Sequence, residues 1–302
     1  MAVILAKQTG RSFQPAALLE LIKPVTWFPP MWAFLCGAVS SGESLAANWT
    51  LVALGLVLAG PVVCGMSQAA NDWCDRHVDA VNEPGRPIPS GRVPGRIGLY
   101  VALAMTLLAL GVGWLLGPWG FGATVVACAA AWAYSAEPVR LKRSGWWGPG
   151  LVALSYEGLP WFTGAAVLSG GLPSFFVLTV AALYAAGAHG IMTLNDFKAL
   201  KGDRLHGVQS LPVTLGPDVA ARFACIAMVV PQAVVVALLL VWGRPLHAAA
   251  VAVLVLLQVR AMRRLLGDPA ALAPWYNGAG VTLYVAGMMI SAVAIRSLEL
   301  VP

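Results

Sequence analysis

Asn71-Asp72-Trp73-Cys74-Asp75-Arg76-His77-Val78-Asp79 follows directly on an apolar stretch, residues 50–70. If the helix begun in that stretch runs on through the motif, Asn71, Asp75 and Asp79 fall at i, i+4 and i+8 and share one face. Carboxylates a turn apart repel one another in a partly dry site. A divalent cation removes that repulsion, and an all-oxygen ligand set selects Mg²⁺ over zinc or copper. The plain alternative is a solvated, charged loop. Acids are scarce here, 13 in 302 residues, and four of them lie between Asp72 and Glu83. That concentration favours a site.

The surroundings of the motif set the class of protein. The chain is 59% hydrophobic and 11% charged, against about 25% charged in a soluble domain. So few charges cannot coat a water-facing surface, so most of the molecule faces lipid. Nine apolar stretches of near-bilayer length are expected at about 25–41, 50–70, 98–117, 119–135, 149–168, 174–194, 223–242, 246–265 and 277–296. With the loops numbered in order, every Lys and Arg except Arg244 and Arg296 falls on the N-terminal segment or an even-numbered loop. By the positive-inside rule, residues 1–23, with Lys7, Arg11 and Lys23, and the motif-bearing loops face the cytoplasm, and the C-terminus faces the other side. The +6 net charge points to anionic lipid head groups, and no basic run interleaved with aromatic residues points to nucleic acid. Between Met1 and Lys23 there is no compact apolar run with a small-residue cleavage site, so no removable signal peptide is read. Cys36, Cys64, Cys74, Cys128 and Cys225 form no CxxC pair, and neither a disulfide nor a thiolate metal site is expected. The expectation is an all-α integral membrane protein forming one unit over residues 1–302.

A second acidic segment, Asn195-Asp196-Phe197-Lys198-Ala199-Leu200-Lys201-Gly202-Asp203, aligns with the first. Asn195 matches Asn71, Asp196 matches Asp72, Asp203 matches Asp79, and Ala199 replaces the middle carboxylate. The pair reads as an internal repeat. Two such segments facing each other can hold Mg²⁺ between Asn71, Asp72, Asp75, Asp79, Asp196 and Asp203 and clamp a diphosphate by its oxygens. Between them lies Tyr134-Ser135-Ala136-Glu137-Pro138-Val139-Arg140-Leu141-Lys142-Arg143. Arg140 and Lys142 suit the charge on a leaving diphosphate or, equally, a positive-inside anchor; Arg143 reads as anchor.

The order NDxxDxxxD, YSxxPxRLK and a second Asp-rich motif near position 200 resembles the UbiA superfamily of intramembrane prenyltransferases, over nearly the whole chain. Within it, NDWCDRHVDAVNEPGRPIPSGRVPGRIGLY, MTLNDFKALKGD and SLPVTLG resemble the branch that esterifies chlorophyllides and bacteriochlorophyllides. WYNGAGVTLYVAGMMISA is most similar to its bacteriochlorophyllide-esterifying members. Lys201 departs from the Glu expected in that branch. The resemblance implies nine helices in a ring around a lipid-open central cavity, with both Asp-rich motifs at its cytoplasmic mouth. It implies a Mg²⁺-dependent reaction in which the propionate of bacteriochlorophyllide takes a geranylgeranyl or phytyl group from its diphosphate. It places the protein in a bacterial photosynthetic membrane. Arg76, Tyr134, Arg140, Lys142 and Lys198 are then the catalytic candidates.

Other polar residues inside apolar stretches have two readings each. Glu157 is an acceptor-binding carboxylate or a packing group. His189 approaches the central Mg of a chlorin or packs with a hydrogen bond. A secondary transporter also carries internal repeats and acids, but those belong at the bilayer midplane, whereas these sit at helix ends. A pigment-binding protein without activity needs no Asp-rich pair.

Overall fold

The computed structural model describes residues 13–300. Lys7 and Arg11 lie outside the described residues, as do the side chains of Lys201 and His206. Nine long helices account for most of the described chain: α1 Phe28–Ser40, α2 Trp49–Asn82, α3 Ile97–Leu115, α4 Gly117–Ser135, α5 Trp147–Ser169, α6 Phe175–Asn195, α7 Pro217–Val241, α8 Pro245–Leu265 and α9 Pro269–Glu299. Proline opens α7, α8 and α9, where its missing N–H has no intrahelical partner to lose. Gly170 ends α5 in the left-handed region, at φ 67°. No strand occurs among the described residues; the one β-type contact is a bridge between Ser144 and Gln209.

Seven of these helices are long and apolar enough to cross a membrane: α2, α3, α5 and α6 through α9. At 13 residues, α1 is shorter, and the Gly- and Trp-rich α4 is not among the seven. The molecule is a multi-span membrane protein. The helix expected over 50–70 continues to Asn82 and carries the whole first motif. Its polar last turns mask it in a search for apolar runs.

Neighbours in sequence pack against each other from α1 to α9, and α9 returns to α1, closing a ring. The ring is not hollow, because α1 also lies along α5 and α6 along α9. Two glycines permit the first contact. A Cβ on Gly37 would lie 2.0 Å from the Trp161 carbonyl oxygen, and one on Gly164 would lie 2.1 Å from that of Phe34. Close backbone approach through small residues is how helices bind each other without a hydrophobic driving force. The C-terminal half is tied by buried polar pairs: Gln232 and Gln258 exchange amide hydrogen bonds of 2.9 and 3.1 Å, and Tyr284 donates to the Tyr184 carbonyl at 2.6 Å.

Space remains off-centre. A cavity of about 200 Å³ opens between α1, α2, α4 and α5, and runs on into a smaller chamber of about 40 Å³ that shares Pro30, Ala59, Val63, Ala127 and Ser155. No residue of α6 through α9 lines either chamber. The expected ring of helices is present, and these two chambers lie among its N-terminal helices.

Candidate functional site

The first motif occupies one face of α2, with Asn71 and Asp72 at its two edges. At 100° per residue, Asp79 lies about 80° from Asn71 and only about 20° from Asp72. Asp72 and Asp79 therefore turn to one side and share Arg86, at 3.4 and 2.9 Å. Lys23 adds a 2.7 Å contact to Asp72. Asp75 turns to the other side, bonded by Arg140 at 2.8 Å and ion-paired with Lys142. Beside it, Asn71 donates to Ser135 Oγ at 3.4 Å. Within that face the carboxylates divide between two sets of basic partners.

Two of these cations sit in an unusual backbone. Lys23 (φ 45°) and Arg140 (φ 37°) are the non-glycine residues with positive φ among those described. Left-handed backbone at a side-chain-bearing residue persists only where surrounding contacts fix it. Here both side chains end on carboxylates of the first motif. Burial pulls Lys142 below the ordinary lysine pKa, and Asp75 opposes that by holding its charge. Arg143 is 59% exposed and pairs with Glu137 instead.

The second motif unwinds: regular α-helix stops at Asn195, and Asp196–Ala199 form a 3₁₀ turn before Leu200–His206. Asp203 accepts a 2.7 Å bond from Ser210. Asn277 of α9 donates to Asn195 Oδ1 at 2.8 Å. Asp196 lies within electrostatic reach of Asp203 and Lys198, and Lys198 is exposed at the rim. A backbone splice docks the loop carrying Arg140 and Lys142 against this region. Gln209 N donates to the Arg143 carbonyl at 3.1 Å, and a Cβ on Gly145 would meet Gln209 O at 2.5 Å. Tyr134 then stands between the motifs, within electrostatic reach of Asp75, Asp196 and Asp203, and lines the cavity mouth with Asn71 and Ser135.

Among the described residues, no three Asp, Glu, His or Cys side chains close into a ready-made metal cage, because the carboxylates of the first motif turn to basic partners. Mg²⁺ does not need such a cage, since it commonly takes one or two carboxylates with substrate phosphates. Asp72 Oδ2 is buried and accepts no hydrogen bond, which leaves lone pairs for a hard cation in an all-oxygen donor set. The residues present fit the ion.

Several expected site residues stand elsewhere. Arg76 stacks over Trp73, 4.2 Å from its ring centre, and donates to the Trp73 carbonyl. Glu157 is 3% exposed and does not line the cavity, although its neighbours Ser155 and Tyr156 do. His189 contacts the Trp146 carbonyl through Nε2 at 3.1 Å and Thr193 through Nδ1 at 3.4 Å, packed between the rings of Trp146 and Phe223. It does not line the cavity either. Conversely, Lys23, Arg86 and Asn277 belong to the motif region and were not singled out from sequence. An arm at residues 14–23 brings Lys23 in: Gln14 N donates to the Arg92 carbonyl, and Glu20 pairs with the Arg92 side chain.

The cavity is graded along its length. Near the motifs its wall carries Asn71, Ser67, Gln68, Tyr134, Ser135 and Tyr156; the inner chamber is mostly apolar, bounded by Phe34, Leu58, Ala123 and Leu159, with Thr124, Ser155 and Thr163 its hydroxyl-bearing residues. A polar head bound at the mouth would put an apolar tail inside.

Comparison with known proteins gives a consistent set. The model of the UbiA prenyltransferase family matches residues 27–293. The chain is 71% identical to the bacteriochlorophyll synthase 33 kDa chain of Cereibacter sphaeroides, covering 96% of both. It is 64% identical to that of Rhodobacter capsulatus, covering 94% of both. The chloroplastic chlorophyll synthase of Oryza sativa is 37% identical over 91% of this chain and 76% of its own. A solved digeranylgeranylglyceryl phosphate synthase superposes with TM-score 0.71 at 19% identity, covering 92% of this chain and 98% of that one. A UbiA homolog from Archaeoglobus fulgidus bound to DMAPP and Mg²⁺ superposes with TM-score 0.62 at 19% identity, covering 88% and 99%. At these identities the solved structures speak for the fold.

Proposed function

This chain belongs to the UbiA prenyltransferase family, and from that premise we propose that it esterifies the propionate of bacteriochlorophyllide with a geranylgeranyl or phytyl group, releasing diphosphate. The observation that carries the reading is near-full-length identity of 71% to a bacteriochlorophyll synthase. The graded cavity beside the acidic motifs supports it.

The proposed roles follow from the geometry. The diphosphate sits at the mouth between the two motifs. Asn71, Asp72, Asp75 and Asp79 on one side, and Asp196 and Asp203 on the other, offer the oxygen ligands for Mg²⁺. That ion, when bound, supplies the charge neutralisation a leaving diphosphate needs. Arg140 and Lys142, at Asp75, and Lys23 and Arg86, at Asp72, exchange carboxylate partners for phosphate oxygens. Lys198 adds charge at the rim, and Tyr134 offers a hydroxyl between the motifs. Arg76 holds the motif helix through Trp73. The tail lies along Ala59, Val63, Ala123 and Ala127 in the inner cavity, whose walls exclude water from the cationic carbon. The acceptor, a carboxylate with a pKa of roughly 4–5, arrives ionised, so no general base is required. Glu157 and His189 then act by packing near the site. The mouth faces the cytoplasm of a photosynthetic membrane, where the basic residues are concentrated.

The test offers purified membranes, Mg²⁺ and geranylgeranyl diphosphate with bacteriochlorophyllide, chlorophyllide or 4-hydroxybenzoate. Pigment ester is the expected product. Prenylation of 4-hydroxybenzoate at a matching rate would overturn the carboxylate assignment.

A further inference from the structure

Below the mouth, two helices change pitch where they face each other. Leu58–Cys64 of α2 and Leu154–Gly158 of α5 are π-helical turns. Such turns are frequent at functional sites because they re-aim side chains. Cys64 closes the first and Tyr156 sits within the second, and their side chains meet at 3.2 Å. Gln68 Nε2 donates to Tyr156 Oη at 3.1 Å. All three line the cavity.

The hydrogen-bond directions leave one weak link. Thr26 Oγ1 donates to the Lys23 carbonyl at 2.8 Å, and the Cys64 thiol donates to the Thr26 carbonyl at 3.4 Å. With the thiol committed to Thr26, whose Oγ1 also lies 3.3 Å from the sulfur, the Tyr156 O–H is free to point at the Cys64 sulfur, a weak acceptor; in the reverse sense the thiol donates to Tyr156 Oη. Gln68 Nε2 carries a second N–H beyond the one given to Tyr156. Two donors thus stand side by side on the cavity wall, at the inner end of its polar stretch, with a readily surrendered partner. A carboxylate is a far stronger acceptor than a thiol.

Their depth matters. Gln68 lies three residues before Asn71 on α2, about 4.5 Å further in. With diphosphate at the level of Asn71, the first prenyl carbon lies about one turn deeper, beside Gln68 and Tyr156. Beyond them the α2 wall is Val63 and Ala59.

We propose that Tyr156 and Gln68 are the binding site for the acceptor's carboxylate, presenting it to the first prenyl carbon. This rests on the prenyl-transfer reading above. One carboxylate oxygen gives a lone pair to the carbon, forming the ester C–O bond. The carbon–diphosphate C–O bond breaks, and its electron pair leaves on the diphosphate. No proton moves. The other carboxylate oxygen keeps the hydrogen bonds from Tyr156 and Gln68.

Tyr156→Phe and Gln68→Met keep the shape of the wall and remove the donors. Steady-state kinetics with bacteriochlorophyllide and geranylgeranyl diphosphate should show the acceptor KM raised roughly tenfold to a hundredfold in each, as for a lost hydrogen bond to a charged group. The KM for geranylgeranyl diphosphate should stay within about twofold of wild type. Binding of bacteriochlorophyllide, followed by its absorbance without donor present, should weaken in parallel, which separates the effect from loss of turnover. An unchanged acceptor KM and affinity in both variants would overturn the assignment. So would a rise confined to the donor KM. If wild type transfers no prenyl group to any pigment acid, the prenyl-transfer reading itself fails, and that failure is visible before any variant is made.

Discussion

At Asp75 the two basic residues of the following loop converge, and the chemistry of the mouth depends on what replaces them. Asp75→Asn and Asp203→Asn are expected to lower kcat by at least about a hundredfold, a loss typical when a group that stabilises developing charge is removed. Membrane insertion should be unchanged; near wild-type rates in either variant would remove that residue from the ligand set. Arg140→Ala, Lys142→Ala and Lys23→Ala should each slow turnover more than Arg143→Ala, since the Arg143 side chain is largely exposed and pairs with Glu137. Equal losses across all four would return these residues to the role of anchors. The acceptor ionises well below neutrality, so the rate should be flat above about pH 6 until a catalytic cation loses its proton. Burial lowers the pKa of Lys142, so its charge, and the rate, should fall away at a lower pH than an ordinary lysine would dictate. Lys142→Arg should move that alkaline limb upward; an unmoved limb would assign it to another group. The acidic residues of this region were legible because carboxylates are rare in such a chain. Lys23 was not. It lies 49 residues from Asp72 in sequence, and nothing in a lone basic residue beside an apolar helix distinguishes a site from an anchor.

At the scale of the helix, apolar runs located the elements and missed their irregularities. The run over 50–70 stops where the polar motif starts, yet the backbone runs on to Asn82, since hydropathy reports burial and not hydrogen bonding. The π turns at 58–64 and 154–158 left no such trace, although Pro61 inside the first removes a helical N–H and so favours a break in pitch. The contact of α1 with α5 is also a matter of single atoms. Gly37→Val or Gly164→Val would force a side chain onto a backbone carbonyl already within about van der Waals distance of the glycine. Overpacking of this kind costs about 1–3 kcal/mol or more. The thermal transition in detergent should fall by several degrees, and with it the integrity of the cavity that α1 and α5 share. An unchanged transition would mean that these helices separate without consequence.

For the molecule as a whole, the division of labour between halves is the main finding. The chambers proposed for the tail are lined, among the described residues, by α1, α2, α4 and α5, while the second acidic motif arrives from beyond α6. The fold class could be read from the sequence; the clamp between the two acidic segments is part of the proposal. The position of these chambers could not be read there, because their walls are side chains from four helices that only tertiary packing brings together. Chelation should abolish turnover and Mg²⁺ should restore it, because oxygen ligands from both halves are required. Full turnover in EDTA would reject the ion. The splice of Gln209 onto the Arg143 carbonyl has a consequence for biosynthesis. A ribosome adds residues N-terminal first, so the tail chamber is complete in sequence well before residue 209 leaves the tunnel. Until that amide docks, the loop with Arg140 and Lys142 lacks its brace and the second motif has no place to stand. The nascent chain is therefore expected to hold the N-terminal helices before the loop with Arg140 and Lys142 is braced at Gln209, and the tie from Asn277 to the second motif comes later still.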